Sequence, residues 1–347
     1  MKKRGVCLAG AALTAALLTI GITKAGNTYT LQASEQTETV SGTAVKAATG
    51  DAIFMDEPER VIPVAWAKKK SSLKAGKSYV FQLKTQGKVI NGRKVQWSVS
   101  NKKKATNDKK GKLLGRQVGT VTVKARYLEK TMNCKVKITA KKVIGIDAGH
   151  QAAGNSGLEP IGPGASVRKP KVAGGTCGVA SRVPEYQFTL KVAKALKKEL
   201  VKRGYAVVMT RARNDVNITN KERAIKINES GADICIRLHG DGGASSARGA
   251  CALYPSSRNA YVGKLSAKSY KLSKSILDTY CKATGIGNRG CLQRDDLTGT
   301  NWSKVPVALI ELGFMTNAGE DRYMQSAQGQ KAMVQGMAVG IDGYFEN

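Results

Sequence analysis

Two architectures follow one another along the chain: a small all-β sandwich, then an α/β domain whose mostly parallel sheet is flanked by helices. Three observations lead there. Residues 59–141 carry short alternating apolar runs broken by Gly, Asn and Lys-rich turns, with no helical period, which is a sandwich pattern. From residue 142 to residue 347, apolar runs of strand length alternate with amphipathic stretches of helical period, which implies a sheet covered on both faces. Finally, the 2 histidines, His150 and His239, each end an apolar strand at a glycine-containing loop, the edge of an α/β sheet at which ligands bind.

The opening MKKRGVCLAGAALTAALLTIGITKAG sets three basic residues before an apolar stretch from Gly5 to Ile22, then small residues around Thr23 and Ala25. Residues 1–25 therefore read as a secretory signal peptide, with an uncleaved membrane anchor as the other reading. Either way the remainder is expected to be exported. Residues 26–58 are rich in Thr, Ser, Ala and Gly; they cannot bury enough apolar surface to offset chain entropy and read as a flexible linker. Six cysteines follow (Cys134, Cys177, Cys235, Cys251, Cys281 and Cys291), none in a C-x-x-C pair, which excludes zinc-finger and thioredoxin-like motifs. Cys235 alternates within an apolar strand and reads as a small hydrophobe. Cys281 and Cys291 flank a turn and form the expected disulfide.

Charge is divided unevenly. Residues 60–142 hold 24 Lys and Arg against two acids, Asp108 and Glu129, so two-thirds of the net +32 lies in the smaller part of the protein. In the runs SYVFQLK, VQWSVSN and TVTVKARY the lysines take turns and alternate strand positions, predicting a solvated positive face. A field of this size attracts polyanions. With no nucleic-acid-binding motif beside it, and with an exported chain, anionic cell-wall polymers are the expected partner and nucleic acid is not. The segment WSVSNKKKATNDKKGKLLGRQVGTVTVKA, with a Trp strand, an SN turn, a G-K turn and then G-T-x-T-V, resembles the bacterial immunoglobulin-like surface module across about 80 residues.

Beyond residue 142 the elements come in order. VIGIDAGH (143–150) is a buried strand. EYQFTLKVAKALKKELVKRG (185–204) puts Phe188, Val192, Leu196 and Leu200 on one helical face, with Gly204 as the stop. YAVVMT (205–210) is a strand, TNKERAIKINESG (219–231) a helix and ADICIRLHG (232–240) the next strand. GACALYP (249–255) extends the sheet, residues 264–285 form a third helix, VPVALIELGF (305–314) is another buried strand and residues 326–345 are the closing helix. Between His150 and Glu185 lie 34 Gly-rich residues, Gln151 to Pro184, which read as a long structureless loop walling a groove.

A catalytic zinc needs about three protein ligands and an open position. His150 and His239 supply two. Glu185 is the natural third, because a helix that opens beside a strand end points its first side chains into the crevice; Glu159 within the insertion is its rival. Glu311 follows an apolar run that must lie in a central strand, where a carboxylate is costly unless paired or metal-linked. Burial raises its pKa, which suits a general base that takes a proton from water and delivers it to a leaving nitrogen.

The order VIGIDAGH, an E opening a helix, IRLHGDG and LIELGFMTN resembles the zinc-dependent N-acetylmuramoyl-L-alanine amidases of bacterial cell-wall hydrolysis, across nearly all of residues 142–347. That resemblance implies Zn2+ on His150, Glu185 and His239, Glu311 as catalytic acid/base, and peptidoglycan as substrate, cut between N-acetylmuramic acid and L-alanine. It also implies a secreted, cell-wall-associated protein. Two departures stand out: the long insertion, and Gly240-Asp241-Gly242 after His239 where a small residue and Asn are more usual. Asn288, Arg289 and Arg294 are candidate binders of stem-peptide carboxylates. Asp147 is a candidate partner orienting a ligand, and Arg223 reads as structural. The ligands dictate water activation but not substrate, so another zinc amide hydrolase, a peptidase or deacetylase, stays open, as does a non-catalytic surface-binding protein.

Overall fold

The computed structural model describes residues 21–25, 28–32 and 62–346. Residues 1–60 and 61–347 form separate compact units. In the first, Gly21–Ala25 and Thr28–Gln32 pair antiparallel. This hairpin falls across the expected boundary of signal peptide and linker; the rest of both segments lies outside the described residues. Among the described residues no helix is long and apolar enough to cross a membrane.

Three small sheets build the basic module at the start of the second unit. The run SYVFQLK, expected as one strand, is broken at Phe81: Ser78–Val80 joins one sheet and Gln82–Thr85 another. The fully buried Phe81 ring is the reason, since it turns into the core between the rings of Trp66 and Tyr79, at 5.7 and 5.2 Å. In Gly119–Tyr127 and Lys130–Thr139, Val121, Val123, Val136 and Ile138 point inward while Lys124, Arg126, Lys135 and Lys137 point to solvent. That is the expected positive face.

In chain order the α/β domain comprises β1 (Val143–Ala148), β2 (Asn155–Pro160), β3 (Arg168–Val172), α1 (Glu185–Lys202), β4 (Ala206–Met209) and α2 (Asn220–Glu229). Next come β5 (Ile234–Asp241), β6 (Ala250–Tyr254), α3 (Ser266–Thr284), β7 (Asn288–Gln293), α4 (Thr298–Asn301), β8 (Val307–Phe314), α5 (Ala318–Gln325) and α6 (Ala327–Glu346). The six-stranded sheet has the order β4-β1-β5-β8-β6-β7. Its first four strands are mutually parallel, β6 runs antiparallel to β8, and β7 is parallel to β6.

Alternation along the strands decides what each face carries. Ile234, Ile236 and Leu238 of β5 join Ile144, Ile146, Ala308 and Ile310 in the core under α1, α3 and α6. Cys235 faces the other side, against Ile227 of α2 and Val307, as a buried small hydrophobe. Arg237 and His239, at the same parity as Cys235, share that second face. α2 starts from a capping box in which the Thr219 hydroxyl accepts from the Glu222 amide and the Glu222 carboxylate accepts from the Thr219 amide.

Two expectations need correction. The 151–184 insertion is not structureless: β2 and β3 form an antiparallel hairpin, paired from Asn155↔Val172 to Pro160↔Arg168, with an irregularity after Asn155. The alternation there is hidden by Gly and Pro, and pairing across the hairpin supplies what local propensity does not. Cys281 and Cys291 are unpaired; all six described cysteines carry free thiols. Cys281 is built into α3 and Cys291 into β7, and burial pushes both thiols up to about 11, so each sits as a neutral, half-buried side chain. Sequence reading also left β7, α4 and α5 without an assignment.

Candidate metal centre

β1 runs out at Ala148, and its last backbone link to β5 is the Gly149 amide donating to the Leu238 carbonyl, at 2.9 Å. His150 follows in the left-handed region, φ 57°, which non-glycine residues rarely adopt and which here swings the imidazole back over the sheet edge. Its Nδ1 lies 2.8 Å from the Ala173 carbonyl and must donate to it, leaving the Nε2 lone pair free. His239 comes from the end of β5, its ring packed on Gly149, where a Cβ would lie 2.5 Å from the ring. Glu185 is the first residue of α1, after Pro184 at φ −63°. The helix turns the buried carboxylate into the gap between the two rings.

Three atoms converge there. Glu185 Oε1 lies 3.2 Å from His150 Nε2 and 3.1 Å from His239 Nδ1, and the two ring nitrogens are 3.1 Å apart. Ligands held about 2.05 Å from a tetrahedral zinc are separated by about 3.3 Å, so this spacing suits one ion. Backbone amides complete the cradle: Gly240 donates to Glu185 Oε1 at 3.0 Å and Thr176 to Oε2 at 2.9 Å. Gly175, at φ +82°, allows the approach; a Cβ there would lie 2.9 Å from the His150 ring and 3.0 Å from Glu185 Oε2.

Burial presses each member towards neutrality, and mutual contacts decide the outcome. Glu185 is desolvated, yet both histidines hold its carboxyl far below the usual range. For His150 the Glu185 contact outweighs desolvation and the pKa rises; for the deeper His239 burial wins and it falls. Glu311 stands opposite His239 in the β5–β8 register. Part of the residue is reached by solvent, but Oε2 is buried with no hydrogen-bond partner. Burial, then the charges of Glu185 and Asp241, push its carboxyl up to about 8 against the opposing pull of Arg237 and Arg289.

The other expected residues separate. Glu159 is buried away from the centre, its carboxylate accepting from the Lys221 amide at 3.1 Å, and is not a ligand. Asp147 bonds to none of His150, Glu185 and His239; its side-chain partners are Thr210, Arg223 and Arg237. It is buried between Arg223 at 2.9 Å and Arg237 at 3.0 Å, and Arg223 in turn donates to the His150 carbonyl at 2.9 Å and to Gln151. Arg223 is thus structural, as expected, and Asp147 acts through it. Arg289 reaches the site edge, bonded to Asp241 at 2.7 Å and stacked 4.7 Å over the Phe314 ring. Arg294 forks onto Asp296 at 2.7 and 3.0 Å, and the Asn288 amide is taken up by Asp278 and Gly290.

Arg237 was not singled out from the sequence. An arginine inside the apolar run ICIRLHG is a buried charge two residues before His239, and that cost is the signal that could have found it. With His150, His239, Lys169, Pro170 and Thr298 it lines a cavity of about 220 Å³ beside the centre, one wall of which is the β2–β3 hairpin.

A family model described as N-acetylmuramoyl-L-alanine amidase matches residues 144–343, more than half of the chain. The chain belongs to the N-acetylmuramoyl-L-alanine amidase family. A second model, bacterial Ig-like domain (group 2), matches residues 61–141. An N-acetylmuramoyl-L-alanine amidase of Mycobacterium tuberculosis is 29% identical over 233 residues, covering 66% of this chain and 96% of that protein. The crystal structure of the amidase Ami1 from Mycobacterium smegmatis superposes with a TM-score of 0.55 at 26% identity, over 60% of this chain and 98% of that one. Ami1 from Mycobacterium abscessus gives 0.54 at 28% identity, over 59% and 99%. The amidase-family domain is therefore the part that carries the His150–Glu185–His239 cluster.

Proposed function

We propose that this amidase-family protein is a secreted, zinc-dependent peptidoglycan hydrolase that cleaves the amide between the lactyl group of N-acetylmuramic acid and the L-alanine of the stem peptide. The convergence of His150 Nε2, His239 Nδ1 and Glu185 Oε1 at 3.1 to 3.2 Å is the observation that carries it. Two imidazoles and one carboxylate are a borderline-soft donor set suited to zinc, and they form the one His/Cys/Asp/Glu cluster with metal-holding geometry among the described residues. Zinc in such a site supplies Lewis acidity, polarising the amide carbonyl and acidifying a water.

The protein's own groups do the rest. Glu311 Oε2 takes a proton from the attacking water as its oxygen bonds to the carbonyl carbon, and returns it to the alanine nitrogen as the C–N bond breaks. Without that delivery an amine anion would have to leave. With its carboxyl pushed up to about 8, first by burial and then by the charge of Glu185, Glu311 changes protonation state close to neutral pH, where a shuttle between base and acid works best. Arg289 and Arg294 would meet carboxylates of the stem peptide by exchanging their present partners, Asp241 and Asp296, and Asn288 would likewise have to leave Asp278.

The basic module holds the enzyme near anionic wall polymers through its field. Retention on purified walls should be salt-sensitive for the full chain and weaker for residues 142–347 alone.

The test of the reaction is release of free L-alanine amino termini from purified peptidoglycan by wild type and Glu311→Ala, each with measured zinc content. Release by the wild type, with an inactive but zinc-loaded variant, is the expected result. Bound zinc without release would overturn the substrate, and no bound zinc would overturn the metal.

A further inference from the structure

The basic module meets the catalytic domain at a joint whose geometry depends on Gly204. The Lys141 amide donates to the Gly204 carbonyl at 2.8 Å. Gly204 adopts φ +89°, and a Cβ there would lie 2.7 Å from both Ala75 Cβ and the Arg116 carbonyl of the module. Beside this contact is a cavity of about 600 Å³ walled on one side by Lys102, Lys103 and Arg116 from the body of the module and on the other by Lys141, the module's last residue, with Lys202 and Arg203 at the end of α1. It is separate from the metal centre.

The two walls differ. Glu199 and Asp342 hold the second: Arg203 contacts them at 2.9 and 2.7 Å, Lys202 reaches Glu199 at 3.5 Å and Lys141 reaches Asp342 at 3.8 Å. On the module's wall, Lys102 and Lys103 project from a turn fixed by Asn101, whose Oδ1 accepts from the Lys103 amide at 3.0 Å, and neither ammonium has a carboxylate partner among the described residues. Arg116 spends only its Nε, on Thr106 at 3.2 Å, leaving the terminal nitrogens without a protein partner there. Six cations therefore face one cavity with two carboxylates between them. Like charges drawn together across a joint oppose its closure unless an anion lies between them, and a recess screens them less than open surface does.

We infer that this interdomain cleft is a binding site for a phosphate-bearing polyanion, taking a short run of phosphodiester units between the module and the end of α1. The inference rests on the reading that the module attracts anionic polymers, and gives that attraction a specific seat. An arginine fork with two ammonium groups is a phosphate-binding set. The cavity's volume of about 600 Å³ exceeds that of a single phosphate group. Because both walls contribute, the anion also fastens the module to the catalytic domain.

The full-length protein should be titrated with fluorescently labelled linear polyphosphate of defined length, followed by anisotropy in 0.15 M salt. Three variants decide the matter: Lys102→Ser/Lys103→Ser/Arg116→Ser in the cleft; Lys124→Ser/Lys135→Ser/Lys137→Ser on the open sheet face, which removes the same charge; and Gly204→Ala, which removes none. The cleft triple should weaken binding at least tenfold and the face triple no more than about threefold. Gly204→Ala, with an unchanged melting temperature for the catalytic domain, should weaken it as the cleft triple does. Equal losses from the two triples, with Gly204→Ala silent, would overturn the cleft while leaving diffuse attraction intact. No binding by the wild type would overturn both. Equal affinity for polyglutamate would overturn the phosphate assignment.

Discussion

Replacing Glu311 by its neutral isostere, Glu311→Gln, is expected to stabilise the metal-free protein by an amount that grows with pH. Glu311 is held from an ordinary 4.5 up to about 8 in the folded state, chiefly by burial, with Oε2 lacking a partner. A group whose folded pKa lies above its unfolded value adds stability that is fully present below the unfolded value and is lost as pH rises through the folded one. Between pH 4.5 and about 8 the unfolded chain releases a proton that the folded chain keeps, so unfolding becomes easier by about 1.4 kcal/mol per pH unit, about 5 kcal/mol at most across the window. Gln does not titrate. Below pH 4.5 both side chains are neutral with one unsatisfied polar group and should match in stability; above pH 8 the variant should lead by several kcal/mol. Urea unfolding in excess chelator and reductant, followed by fluorescence at pH values from 5 to 9, measures this directly, with Trp302 reporting on the catalytic domain. Because His150, Glu185 and His239 titrate in both proteins, the difference isolates Glu311 to first order. A difference that stays constant across that range would refute the argument that a desolvated, partnerless carboxyl occupies this strand. Zinc-loaded protein should show a smaller difference, since a nearby cation favours the ionised carboxylate.

Three further outcomes follow from the same geometry. Glu185→Ala should lose stoichiometric zinc while Glu159→Ala retains it, as read by elemental analysis after desalting, because only the former faces the two histidines. Gly175→Ala places a Cβ 2.9 Å from His150 in a left-handed backbone position; strain of about 1–2 kcal/mol predicts roughly tenfold weaker zinc retention in a competitive chelator titration. Asp147→Asn leaves two buried guanidinium groups facing a neutral amide, and urea denaturation should register a loss of about 3–5 kcal/mol.

Much of this protein was legible before folding is considered, for identifiable reasons. Strands and helices with a clear period were located because burial of one face imposes that period on the chain: α1, with Phe188, Val192, Leu196 and Leu200, was found within two residues. The two histidines and Glu311 stood out because polar groups at the ends or centres of apolar strands are expensive, and the motif order pointed to the family. Elements whose stability comes from partners distant in the chain were missed. β2 and β3 pair with each other across Gly- and Pro-rich sequence, and β7 is an edge strand resting on β6; neither carries a local pattern strong enough to declare itself.

What the tertiary structure alone decided is which polar groups meet. Glu185 and Glu159 were rivals on sequence, and no local rule separates them: one sits at the mouth of a helix aimed at the sheet edge, the other in a hairpin folded back against the start of α2. Arg237 and Asp147 became parts of the site because neighbouring parallel strands bring residues 90 positions apart into contact. The cleft at Gly204 exists only because the module docks where α1 ends. Composition and periodicity express what each segment must bury, so they are written into the chain. Convergence of charges is settled by topology, which brings distant segments together and so cannot be read from any one of them.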